Sequence, residues 1–237
     1  MPAAAKTARP RASERSGVRA PRRAYNKPMT EHVILLHGVW MRGLTLFSLA
    51  RRLRAAGFSV DVFDYASVFG DAGATCERLR TRMREMDADR VHLVGHSLGG
   101  IVALEATRRM RDLPHGHIVC LGPPLKGSSV ARLLAHVPGG RWLLGANHNA
   151  LVEGVERWDD SRKVGVVAGQ MPFGLGVSIG ALLTAPHDGT VSVEETRLAG
   201  VADHCTVDAT HTGLLFSSDV ADLTVGFLRD GRFAPPR

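Results

Sequence analysis

The sequence has no apolar stretch long enough to cross a bilayer. Its uninterrupted apolar runs are short, Val33–Leu36 being typical, whereas a spanning helix needs about 20 such residues. Cysteine is scarce: Cys76, Cys120 and Cys205 are odd in number and widely spaced, with no Cys-x-x-Cys pair. That excludes a disulfide scaffold and the common zinc or redox motifs. It points to a reduced, cytoplasmic setting, with Cys120 as a core residue closing an apolar strand. Glycine and proline, 26 and 12 of 237 residues, are too few for a collagen-like or low-complexity chain. Acidic residues are almost missing from the first 28 positions, which hold Glu14 alone against eight lysines and arginines.

That imbalance accounts for the net charge of +7. The 30 basic and 23 acidic residues of the whole chain leave 22 of each beyond residue 28. Residues 1–28 therefore read as a disordered basic tail, rich in Ala, Pro, Ser and Arg. Such a tail can attract nucleic acid or anionic lipid. The neutral body, residues 29–237, argues against nucleic-acid binding by the folded domain. Arg22-Arg23 is followed by no apolar segment, so no secretory signal is recognised. Met29, just ahead of the first strand signal, offers an alternative start.

Beyond the tail, strand and helix signals alternate. Apolar runs at 32–37, 58–63, 91–94, 117–121 and 164–168 predict strands, with a short last one at 204–207. Between them, 44–56, 74–87 and 101–110 predict helices, and 219–228 closes the chain. In the first of these helices Leu44, Phe47, Leu49 and Leu53 form the apolar stripe. The alternation predicts an α/β fold, a mostly parallel six-stranded sheet with helices on both faces.

Gly95-His96-Ser97-Leu98-Gly99-Gly100 follows the third strand and opens a helix. In that setting G-x-S-x-G is a sharp turn that exposes a nucleophilic serine. The N–H of Leu98, at the helix start, faces the place where a carbonyl oxygen becomes negative. His37-Gly38-Val39-Trp40, after the first strand, supplies the N–H of Val39 as a second donor. Hydrolases of this order place an acid and then a histidine after the serine. Asp188, in Asp188-Gly189-Thr190-Val191 after the fifth strand, is the expected acid. His211, in Thr210-His211-Thr212-Gly213 after the last strand, is the expected base. Gly122–Gly127, after the fourth strand, contains no acid. Asp188 also suits an ordinary Asp-Gly turn, and Trp40 and Met41 serve equally as pocket walls or core. Metal-ligand spacing is missing, so neither metal nor cofactor is expected.

Together these residues resemble the α/β-hydrolase superfamily, and within it the compact bacterial lipase/esterase group related to triacylglycerol lipases. The resemblance covers about 32–230. It implies a serine esterase or lipase with a catalytic Ser97, Asp188 and His211, an oxyanion hole at Val39 and Leu98, and a small-molecule ester or lipid substrate. It implies a minimal version of the fold, without the first two strands. It also places a lid, where the family carries one, at 123–163. There Leu133, Leu134, Val137, Trp142, Leu143 and Leu144 either cover an apolar site or pack on the sheet as ordinary helices. An amidase or thioesterase with the same triad, and a non-catalytic binding protein, are the alternatives. A dinucleotide site rests only on Gly174-Leu175-Gly176 with Gly180, and no oligomeric state is indicated.

Overall fold

The computed structural model describes residues 29–173 and 183–234. The tail, the Gly174–Gly180 stretch and the apolar loop beyond Phe173 as far as residue 182 lie outside the described residues. Six strands form one sheet: β1 (Glu31–Leu36), β2 (Ser59–Phe63), β3 (Arg90–His96), β4 (Ile118–Leu121), β5 (Val164–Gly169) and β6 (Asp203–Val207). Their order is β2-β1-β3-β4-β5-β6, and every pairing is parallel. All strand carboxyl ends therefore lie at one edge of the sheet. The order reverses direction at β1 and β3, and beside that switch an open parallel sheet leaves its crevice.

Strand alternation builds two cores. Ile34, Leu36, Leu93, Ile118 and Val164 face one side, beneath α2 (Ala72–Arg84) and α3 (Leu98–Thr107). Val33, Leu35, Val94, Val119 and Val167 face the other, beneath α1 (Phe47–Ala55) and α7 (Ser218–Asp230). Odd and even neighbours point to opposite faces of a strand, so four-residue apolar runs serve both layers at once. Asp71 caps α2: its Oδ1 accepts from the Ala74 N–H at 2.7 Å, which starts that helix earlier than its apolar spacing predicts. The stripe of α1 is also shifted. Leu46, Leu49, Ala50 and Leu53 are buried, whereas Leu44 and Phe47 are exposed. A short 3-10 turn, Gly43–Leu46, precedes the helix and rotates Leu44 outward.

Between β4 and β5 the chain forms three short helices, α4 (Ser129–His136), α5 (Gly140–Leu144) and α6 (His148–Glu153). Ala131, Leu144 and Leu151 pack into the core on the α3 side, while Leu133, Val137 and Trp142 are exposed. Leu134 is partly buried against that core, and the side chain of Leu143 lies outside the described residues. The two ends of the segment meet. The Val155 N–H donates to the Leu125 carbonyl at 2.6 Å, and the Ser128 N–H to the Leu151 carbonyl at 2.8 Å. Among the described residues no helix is long and apolar enough to cross a membrane.

Candidate active site

Ser97 sits between β3 and α3 with φ 53° and ψ −120°, a backbone region that non-glycine residues rarely occupy. The turn is possible because its neighbours lack side chains. A Cβ on Gly95 would stand 2.3 Å from the Gly99 carbonyl, and one on Gly99 would stand 2.5 Å from the Leu36 carbonyl. Strand and helix close on each other within that space. The Ser97 N–H is held by the Leu121 carbonyl at 2.8 Å. Strain of this kind costs on the order of 1–3 kcal/mol and persists where its surroundings over-determine it.

Asp188 and His211 are brought together from separate loops. His211 Nδ1 and Asp188 Oδ2 are 2.7 Å apart, with Asp188 almost fully buried. The other carboxylate oxygen accepts from the N–H groups of Thr190 (2.9 Å) and Val191 (2.8 Å). Asp188 is thus both the turn residue and the partner of the histidine. The His211 N–H returns to the Asp188 carbonyl at 2.9 Å, so backbone and side chain are paired together. Glu195 anchors this loop from behind. Its buried carboxylate accepts from Ser192 N at 2.8 Å and from Ser129 N, at the start of α4, at 2.5 Å.

His96 joins the two halves of the site. It donates from Nε2 to the His211 carbonyl at 2.9 Å, and the two rings lie 4.7 Å apart. Among the described residues its buried Nδ1 has no hydrogen-bond partner. Gly122 supplies the space behind the pair: it has φ 58°, and a Cβ there would meet His211 Nδ1 at 3.1 Å and Asp188 Oδ2 at 3.2 Å. Among the described residues Ser97 Oγ makes no hydrogen bond. Looser contacts are common in unliganded sites of this kind.

The β1–α1 loop lies on the other side of Ser97. A Cβ on Gly38 would stand 3.2 Å from Ser97 Cβ. Val39 follows it, and Leu98 opens α3, whose first N–H groups have no intrahelical acceptor. His37 is fully buried and braces this loop. Its Nδ1 bonds the Gly38 carbonyl at 2.9 Å, and the Tyr65 hydroxyl donates to the His37 carbonyl at 2.7 Å. Trp40 has φ 58° and is exposed, while Met41 packs partly against the α1-side core.

Burial keeps His96 neutral, its pKa pushed down to about 3 chiefly by desolvation and then by the nearby His211. Burial likewise pushes His92 down to about 3. Both values lie below the ordinary 6.5 of an unfolded chain. As pH falls below about 6.5 the unfolded chain gains protons that the folded protein refuses, so stability drops with pH. Each histidine costs about 2 kcal/mol at pH 5. Urea unfolding is therefore expected to show a loss of several kcal/mol between pH 7 and pH 5. An unchanged midpoint would contradict neutral burial of the pair.

His204 is at the start of β6, bonded to Thr196 Oγ1 at 2.8 Å, and His187 Nδ1 accepts from the Gly189 N–H. Neither joins the Asp188–His211 pair. Asp203 and Asp208 are engaged elsewhere, by the Phe233 N–H and by Gln170. His96, Gly122 and Glu195 are the participants that the motifs do not announce. His96 lies inside the elbow, the Gly95–Gly99 turn that carries Ser97, as its variable position, and Gly122 is visible only as a glycine ending β4. Among the described residues no group of three or more His, Cys, Asp or Glu side chains is arranged to hold a metal ion.

Comparison with known proteins agrees with this architecture. No curated protein sequence matches the chain. Among solved structures, the mature form of a Bacillus licheniformis lipase is similar with a TM-score of 0.65 and 20% identity, over 80% of this chain and 88% of that one. A metagenomic carboxyl esterase has a TM-score of 0.61 at 15% identity, over 78% and 65%. The type II thioesterase of the borrelidin biosynthetic cluster has a TM-score of 0.56 at 17% identity, over 86% and 93%. At these identities the likeness is one of fold. The profile of the Alpha/beta hydrolase family matches residues 33–235, and with the six-stranded sheet and the elbow at its centre the chain belongs to that family.

Proposed function

We propose that this protein is a serine hydrolase that cleaves carboxylic esters through an acyl-enzyme intermediate. The observation that carries the reading is the 2.7 Å Asp188–His211 pair, tied through His96 to a serine held in a strained turn. In this reading Ser97 Oγ attacks the ester carbonyl and His211 Nε2 takes its proton. Asp188 holds Nδ1–H, which fixes the tautomer and stabilises the imidazolium. The N–H groups of Val39 and Leu98 receive the developing oxyanion, and the start of α3 favours negative charge there. His211 then protonates the departing alcohol. Water, deprotonated by His211, attacks the acyl-serine and releases the acid.

Labelling with a fluorophosphonate followed by peptide mapping tests this. The expected result is a single adduct on Ser97 that does not form when the protein is heat-denatured before labelling, with turnover of simple aryl esters. An unlabelled folded protein without esterase activity would overturn the reading. Thioester and amide substrates belong in the same assay, since one structural relative is a thioesterase and the same groups would cleave those bonds.

A further inference from the structure

Beside the β1–α1 loop lies a cavity of about 350 Å³, walled mainly by Trp40, Met41, Tyr65, Val68 and Phe69. It adjoins the elbow. Met41 Sδ and Ser97 Cβ stand 3.3 and 3.2 Å from one point, the position a Cβ on Gly38 would take. The lining also includes Asp64, Arg42 and Arg78; Asp64 lies 2.9 Å from His37 Nε2 and 3.8 Å from the Arg42 guanidinium. The cavity is therefore apolar where Trp40, Met41, Val68 and Phe69 line it and charged where Asp64, Arg42 and Arg78 do.

Its mouth is aromatic in a chain with only 5% aromatic residues. Trp40, Phe69 and Trp142 come from three different segments and meet with ring centroids 5.8 to 6.3 Å apart. Yet each stays largely in water, at 55%, 68% and 63% exposure. Trp40 reaches this place from a left-handed backbone conformation that a bulky residue adopts only at a cost. The loop beneath is held in place by α5–α6: the Ala146 N–H donates to the Val68 carbonyl at 2.8 Å, and Asn147 Nδ2 to the Ser67 carbonyl at 2.9 Å. A pre-formed apolar cavity with a few polar groups at one end is the usual form of a small-molecule site.

We infer that this cavity receives an unbranched apolar arm of the ester, of medium length. The inference rests on Ser97 being the nucleophile of the proposed reaction. A dry cavity of about 150 Å³ takes a six-carbon ring, so one twice that size and partly open suits an alkyl chain of roughly eight to twelve carbons. A chain too large for the apolar part is forced onto Asp64, Arg42 and Arg78, where it would strip water from charges without replacing their partners.

The experiment is a chain-length series on the full-length protein, with two arms. One uses p-nitrophenyl esters of linear acids from two to sixteen carbons; the other uses acetates of linear alkanols. The expected result is a kcat/KM maximum near eight to twelve carbons in one series, which tells whether the acyl or the alcohol arm occupies the cavity. Ala66→Trp, which narrows the cavity from an exposed position, is expected to lower the ratio of kcat/KM for the ten-carbon ester over the two-carbon ester at least tenfold. Trp142→Ala, which removes one ring of the mouth, is expected to lower the same ratio severalfold. Flat profiles in both series, or ratios within twofold of the parent in both folded variants, would overturn the assignment and leave the hydrolase reading standing. Absence of turnover for every ester would overturn the two together.

Discussion

Ser97→Ala is expected to lower kcat/KM for ester hydrolysis by about 10⁶-fold, with the fold retained. The alanine keeps the backbone turn, and the glycines that permit it are untouched. What is lost is the atom proposed to form the acyl bond. No neighbouring group takes its place: Cys120, the nearest thiol to the elbow helix, is wholly buried with its pKa pushed up to about 12, and its Sγ faces the Gly100 carbonyl. Residual activity is expected to come from the N–H groups and substrate binding alone. The comparison needs circular dichroism and a thermal midpoint for both proteins. A folded alanine variant retaining more than a tenth of the parental rate would remove Ser97 from the reaction.

Asp188→Asn is expected to lower kcat by about 10⁴-fold, for a reason written in the hydrogen bonds. Oδ1 of Asp188 already accepts two backbone N–H groups, from Thr190 and Val191. An asparagine must keep its oxygen there, because its amide nitrogen cannot accept them. The NH₂ group then faces His211 Nδ1 and donates to it. His211 is driven to the tautomer with its proton on Nε2, where it cannot take the serine proton. Substrate affinity is expected to change little, so the loss belongs in kcat. A variant within tenfold of the parent, measured at saturating ester, would mean that the pair has only a structural role.

Much of this arrangement is legible in the sequence, and the reason is local chemistry. Short apolar runs divided by Gly or charged helices announce strands of a sheet covered on both faces, and all six strands lie where such runs occur. The elbow is legible because its residues stand together in the chain, Gly95 making room for Gly99 four positions on, although Gly99 itself makes room for Leu36 of β1. Position in a helix face is less so. Leu44 and Phe47 fit a helical stripe, yet the 3-10 turn ahead of α1 takes Leu44 out of register with the core. What escapes the sequence is closeness between distant segments. His96 and His211 are 115 positions apart, and Ser129 and Glu195 are 66 apart. Neither pairing leaves a spacing to read. Gly122 is equally mute: its need for an empty Cβ position comes from His211 and Asp188, which arrive from loops the chain has not yet formed at that point.

The joined ends of the β4–β5 segment have a consequence for how such a protein can diversify. The Leu125 carbonyl and the Val155 N–H close the ends of the segment on each other, and Ser129, Ala146 and Asn147 tie its interior to the loops around the site. Neither the proposed nucleophile nor its acid and base lie inside the segment. Enlarging a loop whose ends are already pinned adds only about 0.6 kcal/mol per doubling of its length. A foreign segment spliced between those two residues would replace Trp142 and everything else it contributes to the mouth of the cavity, but it would have to restore the Ser129 N–H that holds Glu195 behind the Asp188 loop and the core contacts of Ala131, Leu144 and Leu151. In the proposed reading, an exchange that keeps those ties would alter the mouth of the cavity without moving Ser97, Asp188 or His211, so what the site admits could change while the bond it breaks does not.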